Sequence, residues 1–246
     1  MSYEDKNAAI PEPASGHASG MGDRHVASPT ADFFRLPIEI RITIYKLVLT
    51  VRAPLYLFRN GKRVQAFAPE MRRRWLALLY TSRQLYGESS AVAYGSNRYI
   101  IMDTTKEVDL LRSFLEKIGP KNASSLSHLG LSFPTVETAD DESGKARLGQ
   151  DSLRAFKILQ EKCKGIITLE SAVSQSIPYS PGKPGHECLP LLEDAFCQID
   201  AQLQALPTLR KFIVRVYDRN ITSIVIGAMR SCGWVVYQGD QREPMQ

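Results

Sequence analysis

The stretch FFRLPIEIRITIYKLVL, residues 33–49, is where ordered structure is predicted to begin. Pro37 suits the first turn of a helix, because its missing N–H would have no partner there. At 100° per residue, the apolar side chains of the stretch gather on two faces. The first face holds Ile40, Ile44, Leu47, Val48 and Val51, and the second holds Ile38, Ile42, Tyr45 and Leu49. A helix that is apolar on two faces either is internal on both or keeps one face for a partner.

The residues around this stretch differ sharply from it in composition and charge. Residues 1–32 are rich in Pro, Gly and Ser, hold few large apolar side chains, and carry five acidic against two basic groups. This composition predicts a disordered tail. Residues 33–83 carry eleven basic and two acidic groups, a net +9, whereas residues 84–246 carry eighteen and nineteen, a net −1. The basic charge therefore belongs to one segment, which is compatible with an acidic protein surface, nucleic acid or an anionic membrane as a partner.

The overall composition predicts an intracellular globular protein. A chain of 246 residues with 43% hydrophobic residues can form one large or two small domains. It has no run of about 18 apolar residues, so no membrane span is expected. The N-terminus is polar and acidic, unlike a secretory signal. The four cysteines form no CxxC pair and are expected to be free thiols.

A hairpin and a helical segment follow the opening helix. Asn60-Gly61 between LYLFR and KRVQAF predicts a two-residue type I′ turn. MRRRWLALLYTSRQLYGESSAVAYGSN is then interpreted as one or two helices that end near residues 95–97, and RYIIMD as a strand.

The rest of the chain alternates between predicted helices and strands. The predicted strands are LSHLGLSF, GIITLESAV, LRKFIVRVY and WVVYQ. This alternation predicts a mixed α+β/α/β protein: an N-terminal helical module with a hairpin insertion, then a helix/strand region with a mainly parallel sheet. Two of the strands fit the phase of leucine-rich-repeat strands, so a repeat-like curved sheet stays open as an alternative.

No catalytic or cofactor-binding motif is present in the sequence. There is no GxSxG, HExxH, Walker or GxGxxG pattern, so we predict a protein that is not an enzyme and needs no cofactor. His186 and Cys188 of GHEC, with Cys197, lack the second close pair of ligands that a structural zinc site requires. We expect no metal site.

Arg72, Arg73 and Arg74 precede Trp75 and have two interpretations. A basic cluster beside an aromatic ring can contact phosphate and stack a base, which would make this a nucleic-acid contact. Alternatively, the arginines form the solvated start of a helix whose tryptophan is in the core. No recognised nucleic-acid-binding spacing accompanies them, so nucleic acid is the weaker prediction.

Two blocks of the sequence together resemble the F-box-like proteins expanded in filamentous fungi. The pattern is a Leu-Pro-x-Glu-Ile-Arg-x-x-Ile-Tyr helix, a variable hairpin, then Leu-Leu-x-x-x-Arg-Gln-x-Tyr-x-Glu and Tyr-Gly-x-Asn. In this chain the first block is Leu36, Pro37, Ile38, Glu39, Ile40, Arg41, Ile44 and Tyr45. The second is Leu78, Leu79, Arg83, Gln84, Tyr86, Glu88, Tyr94, Gly95 and Asn97.

The resemblance implies a non-catalytic substrate receptor that docks onto the small acidic adaptor of a cullin–RING ubiquitin ligase. Residues 33–102 would be the F-box-like module and residues 103–246 an α/β region that holds an unknown protein partner. The hairpin departs from a compact trihelical F-box, so an interaction scaffold without ligase recruitment, or a basic nucleic-acid-binding protein, remains an alternative. The implied contact residues are Leu36, Pro37, Ile38, Ile40, Ile44 and Tyr45.

Overall fold

The structure, a computed structural model, describes residues 33–69, 71–72, 74–101, 106–138, 146–173, 189–218 and 221–239. The predicted tail, residues 1–32, lies outside these ranges, as does Arg73. The described helices are α1 Ile38–Leu49, α2 Arg83–Gly95, α3 Glu107–Ser125, α4 Gln150–Lys162, α5 Leu189–Gln204 and α6 Ser223–Ser231. Single turns of 3₁₀ helix lie at Phe33–Arg35 and Ala77–Tyr80.

Seven strands form one sheet in the order β2-β1-β3-β4-β7-β8-β9. Only β1 and β2 pair antiparallel, and every other neighbouring pair is parallel. This confirms the prediction of a mixed α/β protein with a mainly parallel sheet. The strands of this sheet are β1 Leu55–Asn60, β2 Arg63–Phe67, β3 Arg98–Ile101, β4 His128–Ser132, β7 Thr168–Val173, β8 Lys211–Val216 and β9 Val235–Gln238.

A second, two-stranded sheet joins β5, Val136–Thr138, to β6, Ala146–Leu148. Neither of these strands is among the predicted ones, because three-residue strands are too short to show an alternating pattern.

The hairpin forms one residue later than predicted. Asn60 pairs with Arg63, so the two loop residues are Gly61 and Lys62. Gly61 has a φ of 59°, and Lys62 is not among the residues with positive φ. Positive φ at the first loop position only is the pattern of a type II′ turn, which favours glycine there. The predicted type I′ turn centred on Asn60 and Gly61 is therefore wrong.

The chain divides into two compact units. Among the described residues, the first contains 33–50 and 71–93, and the second contains 51–69 and 94–239. The hairpin and β3 thus belong to the second unit, because β1 pairs with β3 and β3 with β4. This division differs from the predicted one at residue 102.

One face of the large sheet is covered by helices. From β3 to β9 each new parallel strand is added on the same side of the previous one, so right-handed crossovers place their helices on a single face. The Tyr99 ring contacts Phe114 of α3, with 5.4 Å between centroids, and the Phe212 ring contacts Trp234, which contacts Phe196 of α5. The register places four side chains in one row on this face: Tyr99, Leu129, Leu169 and Phe212.

Candidate docking surface

Within the first unit, a charged cluster joins α1 to α2. Arg41 donates from Nε and from its second terminal nitrogen to the two oxygens of Glu88, each at 2.9 Å. The Tyr45 hydroxyl donates to Glu88 Oε2 at 2.7 Å, and Gln84 Nε2 donates to Oε1 at 3.2 Å. All four residues belong to the two blocks of the F-box-like pattern, so the blocks are physically joined although about forty residues separate them along the chain.

The electrostatics of this cluster follow from its hydrogen bonds. The hydrogen bonds from Arg41, and to a smaller extent the one from Tyr45, lower the pKa of Glu88 to about 2, while partial burial opposes this shift. Burial, followed by the hydrogen bond to Glu88, raises the pKa of Tyr45 to about 12. Glu88 is therefore an ionised carboxylate and Tyr45 a neutral phenol over the ordinary pH range. The carboxylate can thus accept the hydrogen bond that the phenol donates.

Arg41 also fixes the chain that enters α1. One of its terminal nitrogens donates to the carbonyl oxygens of Phe34 at 3.2 Å and Leu36 at 2.5 Å. These bonds hold the turn just before Pro37, where no side chain caps the helix. The Leu36–Pro37 segment is consequently presented in a defined conformation.

The structure distinguishes the two apolar faces of α1. On the second face, Tyr45 and Leu49 are fully buried. On the first face, Leu47 is 76% exposed, Ile40 49% and Val48 43%, with Ile44 partly exposed. We call Ile40, Ile44, Leu47 and Val48 the exposed stripe. Their spacing of i, i+4, i+7 and i+8 places them on one side of the helix, as in helices that bind in a partner's groove.

Most of the predicted contact residues are accessible, and one is not. Leu36, Pro37, Ile38 and Ile40 are exposed, and Ile44 is partly exposed. Tyr45 is a correction: it is buried, contacts the Phe33 ring at 5.8 Å and bonds to Glu88, so it supports the surface from inside. Leu47 and Val48 were not predicted as contacts, although the helical wheel had already placed them beside Ile40 and Ile44.

Three basic side chains of the segment 33–83 are exposed in the same compact unit as the stripe. Lys46 is exposed on α1, and Arg72 and Arg74 are exposed in the turn before the 3₁₀ helix at Ala77–Tyr80. Arg74 has a φ of 62°, a left-handed conformation that is uncommon for a non-glycine residue. The arginines thus lie in a turn and do not begin a helix. Their exposure is compatible with an anionic partner.

Three further features of the described residues are a buried cysteine, a cavity and the distribution of potential metal ligands. Burial raises the pKa of Cys163 to about 12, so this thiol is not a thiolate nucleophile at neutral pH. A cavity of about 790 Å³ near the start of α3 and α4 is lined by charged and apolar residues, with neither cysteine nor histidine among them. No cluster of three potential metal ligands occurs in the part of the chain that the structure describes, and residues 186–188 of GHEC lie outside that part.

Fold and surface together define a mixed α/β protein that exposes an apolar helix face in a basic segment. None of the helices in the described ranges is both long and apolar enough to cross a membrane. Comparison with models of known protein families, with curated proteins and with solved structures finds no match.

Proposed function

We propose that the protein is a non-catalytic interaction adaptor whose α1 docks onto an acidic partner protein, the small adaptor subunit of a cullin–RING ubiquitin ligase. The observation that carries the proposal is the exposed stripe. Four aliphatic residues at helical spacing remain accessible on a helix whose opposite side carries the fully buried Tyr45 and Leu49.

The fixed position of α1 supports a docking role for its exposed stripe. Arg41 and Tyr45 hold α1 against Glu88, and Arg41 also fixes the carbonyl of Leu36. A helix that is already ordered loses little conformational entropy on binding, which favours affinity. Arg41, Tyr45 and Glu88 therefore build the support, and Leu36, Ile40 and Ile44 of the pattern are left accessible for contact.

Charge supports the choice of partner. The segment 33–83 carries a net +9, whereas the rest of the chain from residue 84 carries −1. An acidic partner would be attracted to this segment, with an association rate that falls as salt screens the charges. A helix-binding groove on such a partner would accept Ile40, Ile44 and Leu47.

The test is binding of the purified ligase adaptor to the purified chain by isothermal titration calorimetry. Leu47→Asp places a charge at the most exposed position of the stripe and should weaken binding at least about tenfold while leaving the melting temperature unchanged. Leu36→Ala with Pro37→Ala should act in the same direction. Ile224→Asp, at an exposed aliphatic position in the first turn of α6, is the matched control and should bind like the wild type.

Failure of the wild-type chain to bind the adaptor would exclude ligase recruitment and leave an interaction scaffold without it. Equal binding by Leu47→Asp and the wild type would exclude the stripe as the contact. A salt-dependent mobility shift of bulk DNA or RNA that disappears when Arg72 and Arg74 are changed to Gln would instead favour the nucleic-acid alternative.

A further inference from the structure

Strand β2 forms one edge of the large sheet. It pairs with β1 and has no neighbour on its other side in the part of the chain that the structure describes. Its sequence, RVQAF, contains no proline, and its register with β1 is continuous, without a bulge. Both of its ends are exposed, Arg63 at the first and Phe67, which is 54% exposed, at the second. An edge strand without proline or a bulge can pair with a further strand.

The backbone of β2 has hydrogen-bonding groups directed away from β1. In a two-residue hairpin the residues that flank the loop bond to each other, and bonded pairs then alternate with unbonded ones. Arg63, Gln65 and Phe67 therefore bond to β1, whereas Val64 and Ala66 direct their N–H and C=O groups outwards. None of the hydrogen bonds between described residues involves these outer groups. They can bond to another extended strand.

The strand is complementary to itself. Gln65 is the middle residue of the five in β2, so a second copy placed antiparallel on a two-fold axis at Gln65 pairs with the whole strand. In this register Val64 of each copy would exchange both backbone hydrogen bonds with Ala66 of the other. The outer backbone groups of both residues would then be satisfied in both copies.

The side chains of β2 favour the same register. Arg63 of each copy would face Phe67 of the other as a pair without backbone hydrogen bonds, the kind in which side chains are closest, with Cα atoms about 4.5 Å apart. A guanidinium against an aromatic ring is a favourable cation–π contact. Basic residues on an edge normally oppose its pairing. Here the two arginines would lie about 14 Å apart along the strands, because a strand rises about 3.4 Å per residue.

We propose that two copies of this chain pair antiparallel through β2 and form a two-fold dimer with one continuous sheet. This arrangement uses the same edge of both copies, so it closes at two. Pairing of β2 with β9, the opposite edge, would instead be head-to-tail and open-ended. The contact is much smaller than the interface of a permanent dimer, so dimerisation should depend on concentration. The proposal is independent of the adaptor function, since β2 and the exposed stripe share no residue.

The experiment is sedimentation equilibrium of the purified full chain at concentrations up to about 1 mM. The wild type should pass from monomer to dimer as the concentration rises. Gln65→Lys places two like charges opposite each other on the axis and should raise the dissociation constant at least about tenfold, and Gln65→Glu should act in the same way. Gln238→Lys, at an exposed glutamine of the other edge strand, is the matched control and should dimerise like the wild type.

An equimolar mixture of Gln65→Lys and Gln65→Glu shows whether the two variants have merely failed to fold. Opposite charges then face each other on the axis, so the mixture should form a dimer although neither variant does so alone. Hydrogen exchange tests the register. The amide protons of Val64 and Ala66 should exchange more slowly at concentrations where the dimer forms, whereas that of Gln65, which bonds to β1, should be protected at every concentration.

Four results would overturn the proposal. The first is a wild type that stays monomeric up to about 1 mM. The second is a Gln65→Lys variant that dimerises like the wild type, and the third is a mixture that does not recover the dimer. The fourth is a different mode of assembly, seen as open-ended oligomers, as loss of the dimer in Gln238→Lys, or as loss of the dimer in Leu47→Asp, which would place the contact on α1.

Discussion

Helices α1 and α4 have similar lengths, 12 and 13 residues, but they are held in the protein in different ways. Helix α4 buries one continuous apolar face and exposes its charged residues, so its sequence pattern predicts its orientation. Helix α1 has two apolar faces, buries Tyr45 and Leu49, and leaves the exposed stripe in solvent. Four of the five apolar residues on α4 are therefore core, with Leu153 exposed, whereas the apolar residues of α1 divide between the core and the surface.

The two helices also differ in their ionic contacts. The ion pair of α4, Arg154 with Asp151 at 3.2 Å, is exposed and is expected to contribute little stability. The pair on α1, Arg41 with Glu88, is largely shielded and receives a third hydrogen bond from Tyr45. An ion pair and hydrogen bonds thus help to hold α1 in place, whereas α4 is held by apolar contacts. Some apolar side chains of α1 are therefore available to contact a partner.

The largest expected effect compares two leucines on the same helix. Leu49→Ala should lower the free energy of unfolding by about 2–5 kcal/mol, because the side chain is fully buried. Leu47→Ala should change it by less than about 0.5 kcal/mol, because that side chain is mostly in solvent. Urea denaturation monitored by circular dichroism measures both. Similar losses for the two variants would mean that the stripe is internal, and would remove the basis of the docking proposal.

An intermediate effect should appear in acid. The folded-state pKa of Glu88 is about 2 against an ordinary 4.5, so its carboxylate stabilises the fold above about pH 4.5 and that contribution is lost as the pH falls towards 2. Glu88→Gln should therefore be less stable than the wild type at neutral pH, and the difference should vanish near pH 2. Urea midpoints across this range give the comparison, and hydrogen exchange of residues 38–49 shows whether α1 is the part that loosens.

Asp151→Asn on α4 is the control for the acid experiment, since its exposed ion pair should contribute little at any pH. If Glu88→Gln keeps the full acid dependence of the wild type, the cluster does not hold α1 and the contrast between the two helices fails.

The smallest effect isolates one hydrogen bond. Tyr45→Phe keeps the buried ring and removes the hydroxyl that donates to Glu88, so it should cost about 1 kcal/mol. Tyr80→Phe, at a tyrosine that is more than half exposed, should be close to neutral and is the matched control. Thermal melting of both variants at neutral pH measures the difference in stability. A neutral Tyr45→Phe would show that Arg41 and Gln84 satisfy Glu88 without the hydroxyl.

Much of the fold could be predicted because it depends on local pattern. Strands β3, β4, β7, β8 and β9 all lie inside segments predicted as strands, and α3 to α6 lie between those segments, where alternating helices were predicted. Short apolar runs between turn residues are sufficient for such assignments. The small sheet of β5 and β6 was missed, and the hairpin turn was displaced by one residue, because a register is set by pairing across strands.

Two carboxylate clusters, one around Glu88 and one around Glu170 of β7, depend on long-range proximity, which no local pattern contains. Glu88 lies 47 residues from Arg41, and Glu170 lies 72 residues from Arg98 and 45 from Arg215. The sequence analysis identified Glu88 only through the F-box-like pattern and did not identify Glu170, which is a single charge inside an apolar strand. A carboxylate inside an apolar strand indicates that a basic or hydrogen-bonding side chain lies against it, but the sequence does not identify that side chain.

For this protein, sequence alone determined the elements, their alternation, the concentration of basic charge in residues 33–83, and the existence of two apolar faces on α1. Each of these follows from residue type and spacing along the chain. Tertiary structure decided which residues of α1 are buried, that the hairpin belongs to the large sheet, and which hydrogen-bond donors Glu88 and Glu170 receive. The physical reason is that burial and pairing depend on residues far apart in sequence, whereas periodicity is a local property.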